Sequence, residues 1–385
     1  MGFVSGRISF VRYRVSGDSP LPFDSDLLEK IEEHAIGKHS LGEAQDGVTT
    51  GWGGGEHVLD TTFTLEKNIL EDALHLAIRI DTDKIPGELL RAYTQMELDA
   101  RAALNPSGKP TRSQREEAKE AAQARAQLEA ADGRFRRRKH YPILWDGLEN
   151  VLYVGATSSS VLDRVGSLFR DTFDRALEPI SAGRLVAEHS EHHPELKIFD
   201  SLSPTTFLQH GESLEAFAWS PDPSSPDFLG NEMLVWLWHV LQNDSDTITL
   251  ADGSEITVML SKTLLLDCPR GETGRDSLSD TGPARMPEAI KALQAGKLPR
   301  KAGLIMVRHD QQYEFTLQAE SLAVSGLALP KIEGESGREL RLARIEALRH
   351  AVTSLDMLLT AFLDRRASRQ WSGDLDRIRQ WLGAA

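Results

Sequence analysis

Positive charge is concentrated in one stretch of this 385-residue chain, and the stretch has the chemistry of polyanion binding. Residues 108–139 contain ten Lys or Arg against five Asp or Glu, a net charge of +5. The whole chain carries a formal net charge of -14, so the remainder sums to -19 (-14 minus +5). Attraction to phosphates depends on where cations cluster, so the stretch is a candidate site. A solvated charged connector has the same composition.

The stretch divides into two groups of cations. Arg112, Arg115 and Lys119 are spaced three and four apart, which places them on one face of a predicted helix whose glutamates can pair with them. The second group interleaves cations with aromatic rings and meets no acidic residue between its last cation and Asp146. We therefore expect the second group to be free to contact phosphates. It consists of Arg134, Arg136, Arg137, Arg138 and Lys139.

Two smaller sets of cations complete the predicted DNA-contacting residues. Lys297, Arg300 and Lys301 follow a predicted helix and lead into a strand. Arg365, Arg366 and Arg369 close the long C-terminal helix, where complementation of the helix dipole is the favoured interpretation.

Residues suited to other chemistries give weaker patterns. Cys268 follows Leu264–Leu266, which favours a buried apolar thiol over a nucleophile. His189, His192 and His193 could bind a metal, but Pro194 disfavours a helix that would align them, and a polar loop is favoured. Gly51–Gly55 lacks the lysine and helix of a phosphate-binding loop and predicts a flexible loop, with Trp52 as its anchor. No carboxylate pair has a nuclease spacing, so we predict no active site, no metal and no cofactor.

The composition is that of a globular protein, with 40% hydrophobic and 26% charged residues. No apolar run approaches the ~18 residues of a membrane span. A single cysteine excludes an internal disulfide and favours a reducing, cytoplasmic compartment. The net acidity excludes a uniformly basic coat, but it allows a local basic channel with acidic outer walls.

Hydrophobic periodicity predicts an α+β fold, an elongated multi-lobed mixed α/β body with antiparallel sheets, a protruding helical arm and a long C-terminal helix. Five segments are expected: an N-terminal α+β lobe (1–85), the helical arm and basic segment (86–140), an α/β lobe (141–220), a β-rich lobe (228–330) and a C-terminal helical region (338–385). Strands are predicted at 6–15, 58–65, 74–80, 142–145, 151–155, 247–250, 255–260, 263–267, 303–307 and 313–318.

Helices are predicted at 26–36, 86–104, 113–131, 159–177 and 287–295, with loops at 220–227 and 269–283. The helix at 113–131 contains one large apolar residue, Leu128, so we expect an exposed arm that buries almost nothing. A helix at 228–238 would be buried on several sides, because its two tryptophans cannot share a face. The C-terminal helix has one apolar seam, formed by Ile345, Leu348, Val352, Leu355, Leu359 and Phe362.

Taken in order along the chain, several segments resemble the RdgC family of bacterial recombination-associated DNA-binding proteins. No single segment is specific, and the resemblance covers most of the chain. The segments are Gly51-Trp52, Lys84–Pro86 with the helical arm, Tyr141–Asp146 with Val151–Val154, Ile290–Lys297, and the Arg-rich C-terminal helix. The segments 228–238 and 362–371 look like those of longer members. Extra sequence at 203–227 and 269–283 departs from shorter members.

The resemblance implies a noncatalytic homodimer that closes into a ring around double-stranded DNA without sequence specificity and limits access of the RecA recombinase. Single-stranded DNA is a further partner that the pattern leaves open. The resemblance also implies a nucleoid-associated protein of the cytoplasm, with the basic central region in contact with DNA. Two alternatives stay open. A metal-dependent nuclease or other DNA-processing enzyme would use the scattered Asp, Glu and His, and a protein-interaction scaffold would bind acidic partners through its Arg-rich helices.

Overall fold

A computed structural model describes residues 2–38, 47–191, 193–208, 214–215, 217–220 and 222–384. The chain forms two compact units, each described separately below. Unit 1 comprises Met1–Asp24, Glu66–His75 and Pro142–Ala385, and unit 2 comprises Ser25–Leu65 and Leu76–Tyr141. The predicted helical arm therefore belongs to the same unit as most of the predicted N-terminal lobe after residue 24.

The described residues form ten α-helices and thirteen strands. The helices are α1 (Ser25–Glu33), α2 (Leu65–Asn68), α3 (Gly87–Ala103), α4 (Arg112–Ala130), α5 (Ser159–Phe173), α6 (Ala182–Ser190), α7 (Phe228–Asn243), α8 (Pro287–Gln294), α9 (Gly337–Ala367) and α10 (Trp371–Ala384). The strands are β1 (Ile8–Val15), β2 (Val48–Gly53), β3 (Ile69–Leu70), β4 (Ala73–Asp83), β5 (Arg136–Asp146), β6 (Val151–Val154), β7 (Leu177–Pro179), β8 (Thr247–Thr249), β9 (Glu255–Asp267), β10 (Asp276–Asp280), β11 (Leu298–Arg308), β12 (Gln311–Gln318) and β13 (Ala323–Ala328). Short 3₁₀ helices cover Pro194–Ser201 and Pro283–Arg285.

Unit 1 is built on antiparallel strands in the order β10-β9-β11-β12-β13-β1-β6, with the end of β5 beside β6. The alternation typical of a strand with one buried face is clear in β12, where Tyr313, Phe315 and Leu317 are buried and the residues between them are less so. Helices α7 and α9 contribute to the same apolar core as β9 and β11. The prediction of an α+β fold with antiparallel strands and a long C-terminal helix is confirmed.

Helices α7 and α9 pack as predicted in unit 1. Every residue from Phe228 to His239 in α7 is buried, because apolar side chains lie on several sides of this helix; the polar residues Asn231, Glu232 and His239 are buried with them. The predicted seam of α9 is also buried along its whole length, from Ile345 to Phe362. The C-terminal helical region divides at Ser368 into α9 and α10, a division that the periodicity did not predict.

Unit 2 combines β2, most of β4, the first residues of β5 and helices α1, α3 and α4. Strand β2 pairs antiparallel with β4, from Val48 opposite Thr82 to Gly53 opposite Ala77. The prediction of a flexible Gly-rich loop is wrong for Gly51–Gly53, which lie in β2. Glycine is required at position 51, since a Cβ there would lie 2.6 Å from the backbone of Ile36. Trp52 is fully buried, as its predicted anchoring role requires.

Three strand predictions need correction. The predicted strand at 58–65 is absent; Asp60 instead accepts hydrogen bonds from the amides of Glu56 (3.2 Å) and Thr62 (3.1 Å) and folds the segment into a turn. The predicted strands at 255–260 and 263–267 are one strand, β9, which continues through a bulge because Gly303 lets Ser261 approach closely. The predicted loop 269–283 contains β10. In the predicted loop 220–227, residue 221 lies outside the described residues.

Candidate nucleic-acid interface

The second group of cations, Arg134 and Arg136–Lys139, is called the basic cluster below. It lies where a strand begins. Helix α4 ends at Ala130, and β5 starts at Arg136, six residues before the predicted strand at 142–145. Side chains alternate between the two faces of a strand, so Arg136 and Arg138 share one face while Arg137 and Lys139 share the other. All four side chains belong to exposed residues.

The face with Arg136 and Arg138 meets acids from β4. Arg136 Nε donates to Asp83 Oδ1 at 3.0 Å and Nη2 donates to Oδ2 at 2.8 Å. Arg138 Nε lies 3.8 Å from Asp81 Oδ2. The prediction that these arginines lack acidic partners is wrong, because the acids lie on a neighbouring strand more than fifty residues earlier in the chain. The hydrogen bond with Asp83 holds the pKa of Arg136 above its ordinary value.

Asp81 is committed mainly to another arginine. Arg79 donates to both of its carboxylate oxygens, at 2.7 and 2.6 Å, and both side chains are nearly buried. A carboxylate bound bidentately by one guanidinium has little capacity left for a second at 3.8 Å. Arg138 is therefore held much less firmly than Arg136.

The opposite face of β5 carries cations without such partners. Within the described residues neither Arg137 nor Lys139 makes an ion pair, and both are exposed. Arg137 and Lys139 therefore stay candidates for phosphate contacts, as the sequence predicts. They lie on the opposite face from Arg136 and Arg138 because side chains alternate along a strand. This alternation was not predicted, because the predicted strand begins at residue 142 and not at Arg136.

Arg134 precedes β5 and pairs locally. Its Nη2 donates to Asp132 Oδ2 at 2.8 Å, and Glu129 lies 4.0 Å away. Hydrogen bonds from Arg134 lower the pKa of Asp132, and the same pair raises the pKa of Arg134. The prediction of an unpaired Arg134 is wrong, because Asp132 lies only two residues before it.

Helix α4 presents the other cations of the stretch. Thr111 caps the helix through a capping box with Gln114. Arg112 lies 3.8 Å from Glu116, as expected for a self-paired arm, while Arg115 and Lys119 are exposed and make no ion pair in the described part of the chain. The three cations share one face at spacings of three and four residues.

Helices α3 and α4 form the predicted helical hairpin, but α4 buries more than expected. A stripe of small residues, Ala118, Ala122 and Ala126, is fully buried, and the last two pack with Tyr93 of α3. Leu128 is 80% exposed. The expectation that the helix buries almost nothing is therefore wrong, since alanines permit close helix packing without large side chains. Arg125 stacks on Tyr93 at 4.2 Å, which removes it from the free cations.

In unit 1, most of the predicted contact residues hold the fold together. Lys297 Nζ donates to Asp276 at 2.8 Å. Arg300 donates to Glu320 at 2.6 Å and to Asp267 at 3.3 Å, and it stacks on Trp219. Lys301 is exposed and makes no ion pair among the described residues.

The C-terminal arginines divide in the same way. Arg366 Nε donates to the fully buried Glu232 at 3.0 Å, and Arg365 Nη2 donates to Asp374 at 2.9 Å. Burial raises the pKa of Glu232, although Arg366 opposes the shift. Arg369 is exposed without an ion pair in the described ranges. Two of the three arginines at the end of α9, Arg365 and Arg366, are thus paired with carboxylates.

The residues suited to other chemistries assemble no metal site within the described ranges, where no three His, Cys, Asp or Glu side chains are grouped to hold an ion. Of the histidine cluster, His192 lies outside those ranges. His189 Nε2 is 3.5 Å from the hydroxyl of Thr360.

Cys268 is buried, as predicted, on the wall of a cavity of about 300 Å³ in unit 1. Burial alone would raise the pKa of its thiol. Hydrogen bonds from the Thr273 side chain and from the amides of Thr273, Arg270 and Glu272 outweigh burial and lower the pKa to about 7. No sequence pattern indicates this environment, because the donors take their places only when the turn after the cysteine folds.

No protein-family model matches the chain, and no curated protein is similar to it at a significant level. None of the helices in the described part of the chain combines the length and apolar character that a bilayer span requires.

Unit 2 carries exposed cations that can neutralise phosphates. It offers Arg137 and Lys139 on one face of β5 and Arg115 and Lys119 on α4, all exposed and without ion pairs in the described residues. The acids Asp81 and Asp83 on β4 are the partners of Arg138 and Arg136 that the sequence did not reveal. The alternation Asp81-Thr82-Asp83 in one strand and Arg136-Arg137-Arg138 in another is the signal that could have found them.

Proposed function

We propose that unit 2 binds double-stranded DNA without sequence specificity, and that the protein has no catalytic role in this binding. The observation that carries the proposal is the uncovered face of β5, where Arg137 and Lys139 are exposed and unpaired among the described residues. Such cations are available to phosphates at no cost in broken ion pairs. Phosphate contacts position a protein on DNA but do not read the base sequence.

The local charge supports the proposal. Residues 76–141 contain 14 Lys or Arg and 10 Asp or Glu, a net charge of +4, so the rest of the chain carries -18 (-14 minus +4). An acidic remainder limits nonspecific adhesion of the whole surface to DNA, while a local cluster still attracts the backbone.

The resemblance to the RdgC family extends the proposal to the assembly. In this proposal the protein is a ring-forming homodimer on chromosomal DNA in the cytoplasm, competes functionally with the RecA recombinase, and accepts single-stranded DNA as a second ligand.

Salt dependence gives the first test. If Arg137, Lys139, Arg115 and Lys119 each neutralise one phosphate, the slope of log K against log[salt] is about -3.6, and affinity falls roughly 100-fold between about 50 and 200 mM salt. Fluorescence anisotropy with labelled duplexes of unrelated sequence measures both the slope and the sequence dependence. Absence of binding at the lowest salt concentration would overturn the proposal.

A charge-reversal pair locates the interface. Arg137→Glu with Lys139→Glu is expected to weaken duplex binding by at least about tenfold and to reduce the magnitude of the salt slope by about 2. The matched control is Arg170→Glu with Lys291→Glu, which makes the same charge change at exposed positions of unit 1 outside the predicted DNA-contacting residues. Equal losses in the two variants would show that net charge, and not the β5 face, governs binding.

A further inference from the structure

The ion pair with Asp83 occupies the edge of the Arg136 guanidinium that carries Nε and Nη2. Both Nε and Nη2 donate to the carboxylate, in the fork geometry with which arginine also binds a phosphate. The pair is accessible, since the side chains of Arg136 and Asp83 are 41% and 34% exposed. A phosphate that approaches Arg136 through this edge must therefore displace Asp83.

Arg134 is held in a similar way. Asp132 accepts from the Nε and Nη2 of Arg134 and also from its backbone amide at 3.0 Å. Both side chains are about half exposed, so solvent and ions reach this pair as well. Two of the five cations in the basic cluster are thus bound to acids at the surface.

These acids differ from Asp81, which has a structural role. Asp81 and Arg79 are only 8% and 11% exposed, and Asp81 leaves Arg138 at 3.8 Å. Removing the charge of Asp81 would leave Arg79 without its carboxylate in a nearly buried site. Asp83 and Asp132 have no such buried partner, so their contacts concern only the exposed arginines.

We propose that Asp83 and Asp132 are intramolecular competitors of DNA phosphate that attenuate the affinity of the basic cluster by occupying Arg136 and Arg134. The inference rests on the proposed DNA-binding function and adds its regulation. The unpaired face, Arg137 and Lys139, supplies the basal affinity. Arg134 and Arg136, which are paired with these acids, bind a phosphate only when the phosphate displaces the carboxylate.

The size of the attenuation follows from the strength of such pairs. An exposed ion pair is worth little, so its loss corresponds to about a two- to fivefold gain in affinity. Release of Arg136 also allows one more phosphate contact, which steepens the salt slope by about 0.9.

The experiment compares Asp83→Asn with Glu120→Gln. Both substitutions remove one negative charge from unit 2, but Glu120 lies exposed on α4 without an ion pair in the described residues. Asp83→Asn is expected to bind a labelled duplex about two- to fivefold more tightly than wild type, with a steeper slope. Glu120→Gln is expected to leave the slope unchanged. Asp132→Asn, whose amide oxygen can still accept from the Arg134 amide, is expected to act like Asp83→Asn.

A double-mutant cycle assigns the effect to Arg136. Arg136→Gln alone is expected to change affinity less than twofold, because the guanidinium is already occupied. Adding Arg136→Gln to Asp83→Asn is expected to remove the gain. A gain that persists in the double variant would overturn the assignment.

The outcomes separate the two proposals. If wild type binds duplex and Asp83→Asn behaves like Glu120→Gln, the competitor role is wrong and DNA binding stands. If wild type fails to bind but Asp83→Asn binds, attenuation stands and the unpaired face is not sufficient for binding. If neither binds duplex at low salt, both proposals fail.

Discussion

Arginine and lysine in unit 1 and in the basic segment of unit 2 occupy different environments. In unit 1 the side chains of Arg366, Lys297 and Arg300 are 11%, 13% and 18% exposed, and each meets a carboxylate. In unit 2 those of Arg134 and Arg136 are 53% and 41% exposed. A nearly buried cation needs its partner to offset desolvation, whereas an exposed one is already solvated by water. The comparison teaches that a cation's burial, and not its residue type, decides whether its ion pair is needed for the fold.

The largest effect is expected where a buried pair is broken. Arg366→Ala leaves the fully buried Glu232 without its guanidinium, so the free energy of unfolding is expected to fall by about 3–5 kcal/mol. Urea unfolding at neutral pH measures the loss. Arg369→Ala, an exposed neighbour, is the control, with a change of less than about 0.5 kcal/mol. Similar losses in both variants would erase the contrast between paired and exposed cations.

A smaller effect, with a defined pH dependence, is expected at Asp374. Burial alone would raise the pKa of Asp374, but hydrogen bonds from Arg365 and Arg377 outweigh it and lower the pKa below 3.8. Because the pKa of Asp374 is lower in the folded state than its ordinary value of 3.8, the ionised carboxylate stabilises the folded protein above pH 3.8. This contribution is lost as the pH falls through the folded-state pKa.

Asp374→Asn is therefore expected to cost about 1.5 kcal/mol at neutral pH, and the difference from wild type should shrink as the pH falls below 3.8. Denaturant unfolding across acidic pH tests this. The control is Asp376→Asn, whose side chain is 75% exposed. A difference that grows on acidification would contradict the assigned direction of the pKa shift.

In the basic segment, loss of an ion pair is expected to cost little stability. Arg136→Gln removes an exposed pair with Asp83, so the free energy of unfolding should fall by less than about 1 kcal/mol. Thermal or urea unfolding gives the value. A loss above about 2 kcal/mol would mean that this pair is structural, like those of unit 1.

The smallest effect on stability is expected on α4. Arg115→Gln with Lys119→Gln removes two exposed cations without ion pairs in the described residues, so stability should change by less than about 0.5 kcal/mol. The same variant is expected to reduce the magnitude of the DNA salt slope by about 2. Unchanged DNA affinity and slope would confine the interface to β5.

Elements with strong local patterns were predictable from the sequence. The seam of α9, the helix α7 with apolar side chains on several sides and the hairpin of α3 and α4 follow from periodicity within one segment. The prediction of a strand at 58–65 was wrong, because the hydrogen bond that the Asp60 side chain accepts from the backbone overrides the local β-propensity. The bulge in β9 depends on Gly303, which lies on another strand, so no pattern within 255–267 could reveal it.

The sequence by itself determined where the positive charge is concentrated, because composition and spacing are properties of the chain alone. Only the tertiary structure decided which cations are free. Strand β4 places Asp83 against Arg136, and β5 turns Arg137 and Lys139 to the other face. Ion pairing acts over a few ångströms, and the pair of Arg136 with Asp83 joins residues distant in the chain. This pair is therefore fixed by the placement of the strands and not by the order of residues, unlike the local pair of Arg134 with Asp132.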